Sequence, residues 1–397
     1  MADRYWVGGA GYWTPFDTTH WSTSSGGSGG ASVPTSADNV FIDSSSGSGV
    51  ITVSGIVSCA NFTTGAGILI TSISGSGTVS LAALNIYGNL TNTTTAINYI
   101  GVNINFAAQS GSFTVSLVPN TSISSTFAFG ASSSNIASGT YLSSGTSTAT
   151  WTVTSSNSSN SLGTYYIVSG NVTIASSITI SSIQIATNNT STKSLSLGSS
   201  SVSVSNVFNL LNDTNLTLNA GTSTITMTSA SALTASNKTF YNVSFTSTSA
   251  TITGSNNTFN NLSFATAANL GCSTTFSIGG SQTVNGTLNI SNVPSTNYIN
   301  RKKIQSTTGS QITLTCNAVS AISYTNFLNI NFAGNCISGG NITGTNLGDC
   351  TGNGNITFDA PKTVYWVNTS TATTNLITNS TSWATTPGGV RSEEHTS

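Results

Sequence analysis

Large apolar residues alternate with Ser, Thr, Asn or Tyr in short runs along almost the whole chain. The clearest runs are Thr239-Phe240-Tyr241-Asn242-Val243-Ser244-Phe245 and, nineteen residues later, Thr258-Phe259-Asn260-Asn261-Leu262-Ser263-Phe264. Alternation with a period of two predicts strands with one buried face. Further strands are expected at Ile51–Val53, Ile68–Ile73, Leu84–Thr91, Val102–Phe106, Phe113–Val118 and Trp151–Val153. The series continues through Tyr165–Val168, Val172–Ile180, Ile183–Ile185, Leu195–Leu197, Val202–Val204, Leu216–Leu218 and Ile225–Met227. It ends with Phe276–Ile278, Val284–Ile290, Ile312–Leu314 and Phe327–Phe332. No helical period competes with them.

Many short strands also build sandwiches and barrels. Two features favour an all-β parallel solenoid, or β-helix. The near-repeat has the length of one coil, and a coil buries its apolar face only by stacking on its neighbours. Asn, Ser and Thr also recur beside the apolar positions, where stacked coils hold them in hydrogen-bonded ladders. A body of coils of about 20–25 residues, each rising about 4.8 Å, predicts a rod on the order of 60–75 Å long. The Ser/Thr-rich stretch from Ser132 to Gly163 is expected to hold looser coils or a lateral loop.

The ends of the chain differ from the body. Tyr5-Trp6-Val7-Gly8-Gly9, Trp13 and His20-Trp21-Ser22-Thr23 form a Trp/Gly-rich head. Val364-Tyr365-Trp366-Val367 and Ser382-Trp383-Ala384-Thr385 repeat its pattern, so five of the six tryptophans lie in two matching segments. The expected organisation is a head or cap at 1–45, a solenoid body at 46–360 and the start of a second, truncated head-like unit at 361–390. Arg391–Ser397 holds both Glu residues and reads as the translation of a sequencing adapter, so 391–397 is set aside as an artefact.

Charge narrows the function. Only 4% of residues are charged, against about 25% in an average domain, and none lies between Ser44 and Thr192. The net charge is −1, which argues against a nucleic-acid partner. The basic cluster Arg301-Lys302-Lys303 reads as a solvated loop. No apolar run exceeds about four residues, so no membrane insertion is expected. The first residues lack the apolar core of a secretory signal, which points to synthesis without an N-terminal export tag.

Candidate chemistry is sparse. A glycosidase needs two carboxylates at short range, and the close pairs are Asp38 with Asp43 and Asp349 with Asp359. Both pairs sit where turn capping is the usual role, and Asp213 stands alone. Asp17, Asp38 and Asp43 could together hold calcium only if they converged. His20 has no Cys or second native His beside it and reads as a packing residue of the head. The five cysteines lack zinc spacing. Cys336 and Cys350 could pair if coils bring them together, but small buried thiols are the simpler reading. Trp6, Trp13 and Trp21 have two readings: stacking on sugar rings, or capping the open end of the stack. Their place at unit junctions favours capping. No catalytic residue, metal ligand or cofactor is assigned.

Tyr5-Trp6-Val7-Gly8-Gly9, His20-Trp21-Ser22-Thr23 and Ser36-Ala37-Asp38-Asn39-Val40-Phe41 resemble repetitive virion proteins of tailed phages, which are also similar to bacterial surface adhesins. Ile356–Trp366 looks like that family's unit junction. Tyr12 and Val367-Asn368 depart from its pattern. The resemblance implies tail-fibre, appendage or adhesin roles and no transferable catalytic residues. The expected function is a non-enzymatic structural or adhesive protein, part of a phage tail fibre or similar virion appendage. Its expected partners are cell-surface glycans or other virion proteins, with a homo-oligomer left open. The alternatives are a bacterial extracellular adhesin of the same build and a polysaccharide depolymerase.

Overall fold

A computed structural model describes residues 1–75, 82–93, 98–118, 125–131, 133–135, 140–142, 147–156, 161–185, 191–211, 215–229, 232–247, 249–264, 274–290, 301–359, 365–366 and 383–384. The described chain is a parallel β-solenoid. A coil runs along three faces of the rod and then returns to the first. Gly170–Ile174, Ile178–Ile185 and then Lys193–Ser196 show the cycle. The middle strand bends and serves two faces: Ile178–Ile180 pair with Val202–Val204, while Ser182–Gln184 pair with Val207–Asn209.

One face links thirteen strands, from Ile56–Cys59 to Gly348–Asp349, by parallel pairings only. Twelve steps of about 4.8 Å give a rod on the order of 60 Å. No described pairing returns Gly348–Asp349 to Ile56–Cys59, and the stack does not close into a barrel. The two near-repeats lie directly on each other, with Phe240 opposite Phe259 and Phe245 opposite Phe264. Their rings stack at 5.3 Å and 5.6 Å.

The interior is one long apolar cluster from Trp6 to Ile356, beside a small separate cluster of Ala128, Ala131 and Val168. Because side chains alternate in and out, each coil offers its apolar set to the coils above and below. Buried polar groups fill the corners. Asn257 is fully buried. Its Nδ2 donates to the Ala235 carbonyl (2.8 Å) and to Gln282 Oε1 (3.1 Å). Gln282 in turn donates to the Gly254 and Gly280 carbonyls.

Several strands are shorter or longer than the apolar pattern predicts. Leu84–Thr91 is two strands, Ala83–Ile86 and Leu90–Asn92. Phe327–Phe332 is broken at Asn329, whose φ of 57° turns the corner. Asn237 and Asn256 turn corners of adjacent coils with φ of 56° and 58°, a left-handed conformation that Asn tolerates better than most residues. Within the Ser/Thr-rich stretch, Ser133–Asn135 and Thr140–Leu142 form an antiparallel hairpin. Thr150–Ser155 and Thr164–Ile167 resume the parallel stack.

The basic cluster is not a solvated loop. Lys302–Ser306 is a strand. Arg301 is tied to Asn326 Oδ1 (2.8 Å) and the Asn346 carbonyl (2.7 Å). Lys302 is fully buried, donates to the Phe264 and Ile290 carbonyls and lies 5.7 Å from the Phe276 ring centroid. Its aliphatic stem suits the core, while its ammonium answers strand-end carbonyls that the coil leaves open.

At the head, Trp21–Ser22 pairs antiparallel with Asp3–Trp6 and stands at the edge of the parallel sheet. The same register recurs at the other end of the chain. Tyr5 faces Ser22 and Trp6 faces Trp21, as Tyr365 faces Ala384 and Trp366 faces Trp383. Residues 391–397 lie outside the described residues.

Burial pushes the Lys302 ammonium down to about 8, against about 10.4 in an unfolded chain. Between those values only the unfolded chain keeps this proton, so Lys302 by itself makes stability rise with pH. Burial also holds the Tyr99 and Tyr165 phenols above their ordinary value. It raises the Cys59 and Cys316 thiols as well. Above about pH 8.5 these thiols, and above about pH 10 the phenols, ionise only in the unfolded chain and oppose Lys302. Urea midpoints measured against pH should therefore fall above about pH 9, and Lys302→Met, which removes the opposing contribution, should steepen that fall. A variant whose midpoint tracks the wild type at every pH contradicts the assignment.

Candidate functional site

One face of the rod carries outward rows of amide and hydroxyl groups, one per coil. The first row begins at the head. Asn39 Nδ2 donates to Asp3 (2.9 Å), Asn61 Nδ2 to Asn39 (2.8 Å) and Asn89 Nδ2 to Asn61 (3.2 Å). Beyond Asn89 the row continues in register as Thr114, Thr152, Thr173, Ser196 and Asn219. Two residues earlier on the same strands stand Ser112, Thr150, Asn171, Ser194 and Thr217. In this second row Asn171 Nδ2 donates to Thr150 (3.5 Å) and Ser194 Oγ to Asn171 (2.7 Å). All ten positions from Ser112 to Asn219 are half-buried or exposed.

The same arrangement returns lower on the rod. Thr239, Thr258, Thr283 and Thr315 stack in register. Two residues along each strand are Tyr241, Asn260, Asn285 and Asn317. A shallow cleft of about 240 Å³ separates Leu218 and Gly221 from Thr239 and Tyr241. A second, of about 250 Å³, lies between Asn285, Asn317 and Asn335. Both are open and lined by neutral side chains.

The sequence predicts ladders of Asn, Ser and Thr but not which residues share a row, because coil length varies and hides the vertical alignment. A usable signal was present in the triplets Thr217-Leu218-Asn219, Thr258-Phe259-Asn260, Thr283-Val284-Asn285 and Thr315-Cys316-Asn317.

Trp6, Trp13 and Trp21 have no exposed surface. Trp21 meets Trp6 and Trp13 edge-on at 5.2 Å and 4.9 Å, and Trp13 stacks on Phe62 of a neighbouring coil. Glycan stacking by these three is therefore corrected: a ring without an accessible face cannot meet a sugar. The exposed aromatics of the head are instead Tyr12 at 60% and Phe16 at 90%. His20 stacks on Trp6 at 4.6 Å, and its Nδ1–H donates to the Val7 carbonyl (2.8 Å). The ring occupies the space over Gly11, where a Cβ would lie 2.2 Å from Nε2.

The carboxylates serve their own turns. Asp38 accepts from the Thr35 amide and hydroxyl and from the Ala2 amide. Burial raises its pKa, but these hydrogen bonds outweigh burial and hold it below the usual range. Hydrogen bonds from the Thr19 hydroxyl and amide lower Asp17. Asp43 accepts from the Ser45 amide, and Asp349 from the Thr351 amide and Asn353. Asp359 is exposed, and Asp213 lies outside the described residues. Asp17, Asp38 and Asp43 do not converge, and no trio of His, Cys, Asp or Glu among the described residues could hold a metal.

Cys336 does not pair with Cys350, and both are free thiols. Its sulfur is instead a partner of Cys316, whose thiol is raised first by burial and then by that contact. Cys336 donates to the Ala333 carbonyl (3.1 Å).

Compared with known protein families, curated proteins and solved structures, the chain has no match.

Gly11→Ala should loosen the head, because His20 is held by both Trp6 and Val7 and cannot move aside. The expected cost is about 1–3 kcal/mol, the usual range for an overpacked site. Tryptophan fluorescence during urea unfolding reads it, and an unchanged midpoint contradicts the packing described.

Proposed function

We propose that the protein is a non-enzymatic structural and adhesive rod, part of a phage tail fibre or similar virion appendage that contacts cell-surface glycans. The observation carrying this reading is the neutral face of hydroxyl and amide rows that follows the rod from Asn39 to Asn219. Such a face can meet an uncharged, extended, hydroxyl-rich partner at many weak points. Tyr12 and Phe16 supply exposed rings that the buried tryptophans cannot. The resemblance of the head to tailed-phage virion proteins gives the virion setting. A bacterial extracellular adhesin would use the same face. The depolymerase reading is weaker, because Asp17, Asp38, Asp43 and Asp349 are spent on turns rather than gathered in a groove. The matching Trp6–Trp21 and Trp366–Trp383 registers support a further part of the proposal, that such units follow one another in tandem.

The test is a panel of immobilised cell-envelope glycans with the purified full chain, read for binding and for release of reducing ends. Binding to neutral glycans should change little from low to high salt, since contacts without charge are not screened. No cleavage should accompany it. Failure to bind any glycan, binding abolished by moderate salt, or measurable cleavage would each count against the reading.

A further inference from the structure

We propose that the face between Ser112 and Asn219 binds ice. Its two rows form a lattice of ten hydrogen-bonding side chains, five coils by two positions. The backbone fixes the lattice: coils are about 4.8 Å apart, and positions two residues apart along a strand are about 6.7 Å apart. Both spacings lie close to the oxygen repeats on a prism face of hexagonal ice.

Four properties of the lattice select this ligand. First, it is neutral. Every position is Ser, Thr or Asn, and the cation nearest in sequence, Lys193, is buried. A charged face would orient water around ions rather than into a lattice. Second, the side chains are held in place. The Thr150–Asn171–Ser194 ladder links neighbouring coils, and β-branched Thr has few side-chain rotamers in a strand. Third, capacity for bonding faces outward. The side-chain hydroxyls of Thr114, Thr152, Thr173 and Ser196 have no protein partner among the described residues. Fourth, none of the ten positions is aromatic, so no bulky ring stands above the lattice; the exposed rings suited to a sugar, Tyr12 and Phe16, lie at the head. A flexible glycan needs only some of these contacts at a time, whereas a crystal of matching repeat can use the whole lattice. Each contact is weak, and only a partner with the same repeat can make all of them together.

The inference does not depend on the glycan reading, and the two have separate readouts. Purified full chain is assayed for thermal hysteresis and for inhibition of ice recrystallisation. The wild type should show both. Thr152→Lys with Thr173→Lys should lose both, and so should Thr114→Tyr, a neutral but bulky change at an exposed position. Thr251→Lys, outward on another face, should keep both. Circular dichroism and melting temperature should match the wild type in each variant. The proposal is overturned if the wild type shows neither effect, or if correctly folded lattice variants retain activity equal to that of Thr251→Lys.

Discussion

Each coil hydrogen-bonds its backbone to the coil before and the coil after, in parallel and in register. That pairing sets the rise of the rod. It also places like side chains over like, so that one alternation of apolar and polar residues yields both a continuous core and continuous outer rows. Phe240 over Phe259 and Asn61 over Asn39 are the inner and outer results of the same constraint. A single shift by one residue would turn the core outward. The column of stacked rings and aliphatic chains resists such a shift, and the amide ladders resist it again from outside.

The same constraint explains why so few charges are present. In an in-register stack, each residue type tends to repeat on its neighbours, and a repeated charge repels itself at about 4.8 Å. Asn, Ser and Thr can instead donate to one coil and accept from the next. Where a cation does enter, it is tied to the protein: Lys302 to carbonyls and Arg301 to Asn326 and Asn346. Asp17, Asp38, Asp43 and Asp349 sit at turns, each accepting from a nearby backbone amide. A surface of this kind offers a repeated pattern rather than a deep pocket.

The fold was legible in the sequence because the Phe-rich near-repeat has the length of one coil and alternates like a strand. Corners were less legible. The break at Asn329 and the bends at Asn237 and Asn256 depend on left-handed backbone, which apolar periodicity does not report. Lys302 was misread because a run of three basic residues looks solvated, whereas the strand pattern turns Lys302 inward. The tryptophans of the head were placed at an end of the stack, but only packing distances show that their faces are closed. The outer rows were hidden for a different reason. Twenty-one residues separate Thr152 from Thr173, and thirty-eight separate Thr114 from Thr152, yet each pair is adjacent in space.

That mismatch between sequence distance and spatial distance gives the most direct measurement. Spin labels at Asn219 and, in turn, Thr152, Thr114 and Asn61 span three, four and six coils. Pulsed electron spin resonance should return separations near 14, 19 and 29 Å, a constant step of about 4.8 Å per coil whatever the length of the intervening chain. Separations that follow the number of intervening residues, or that fail to increase in this order, would contradict in-register stacking.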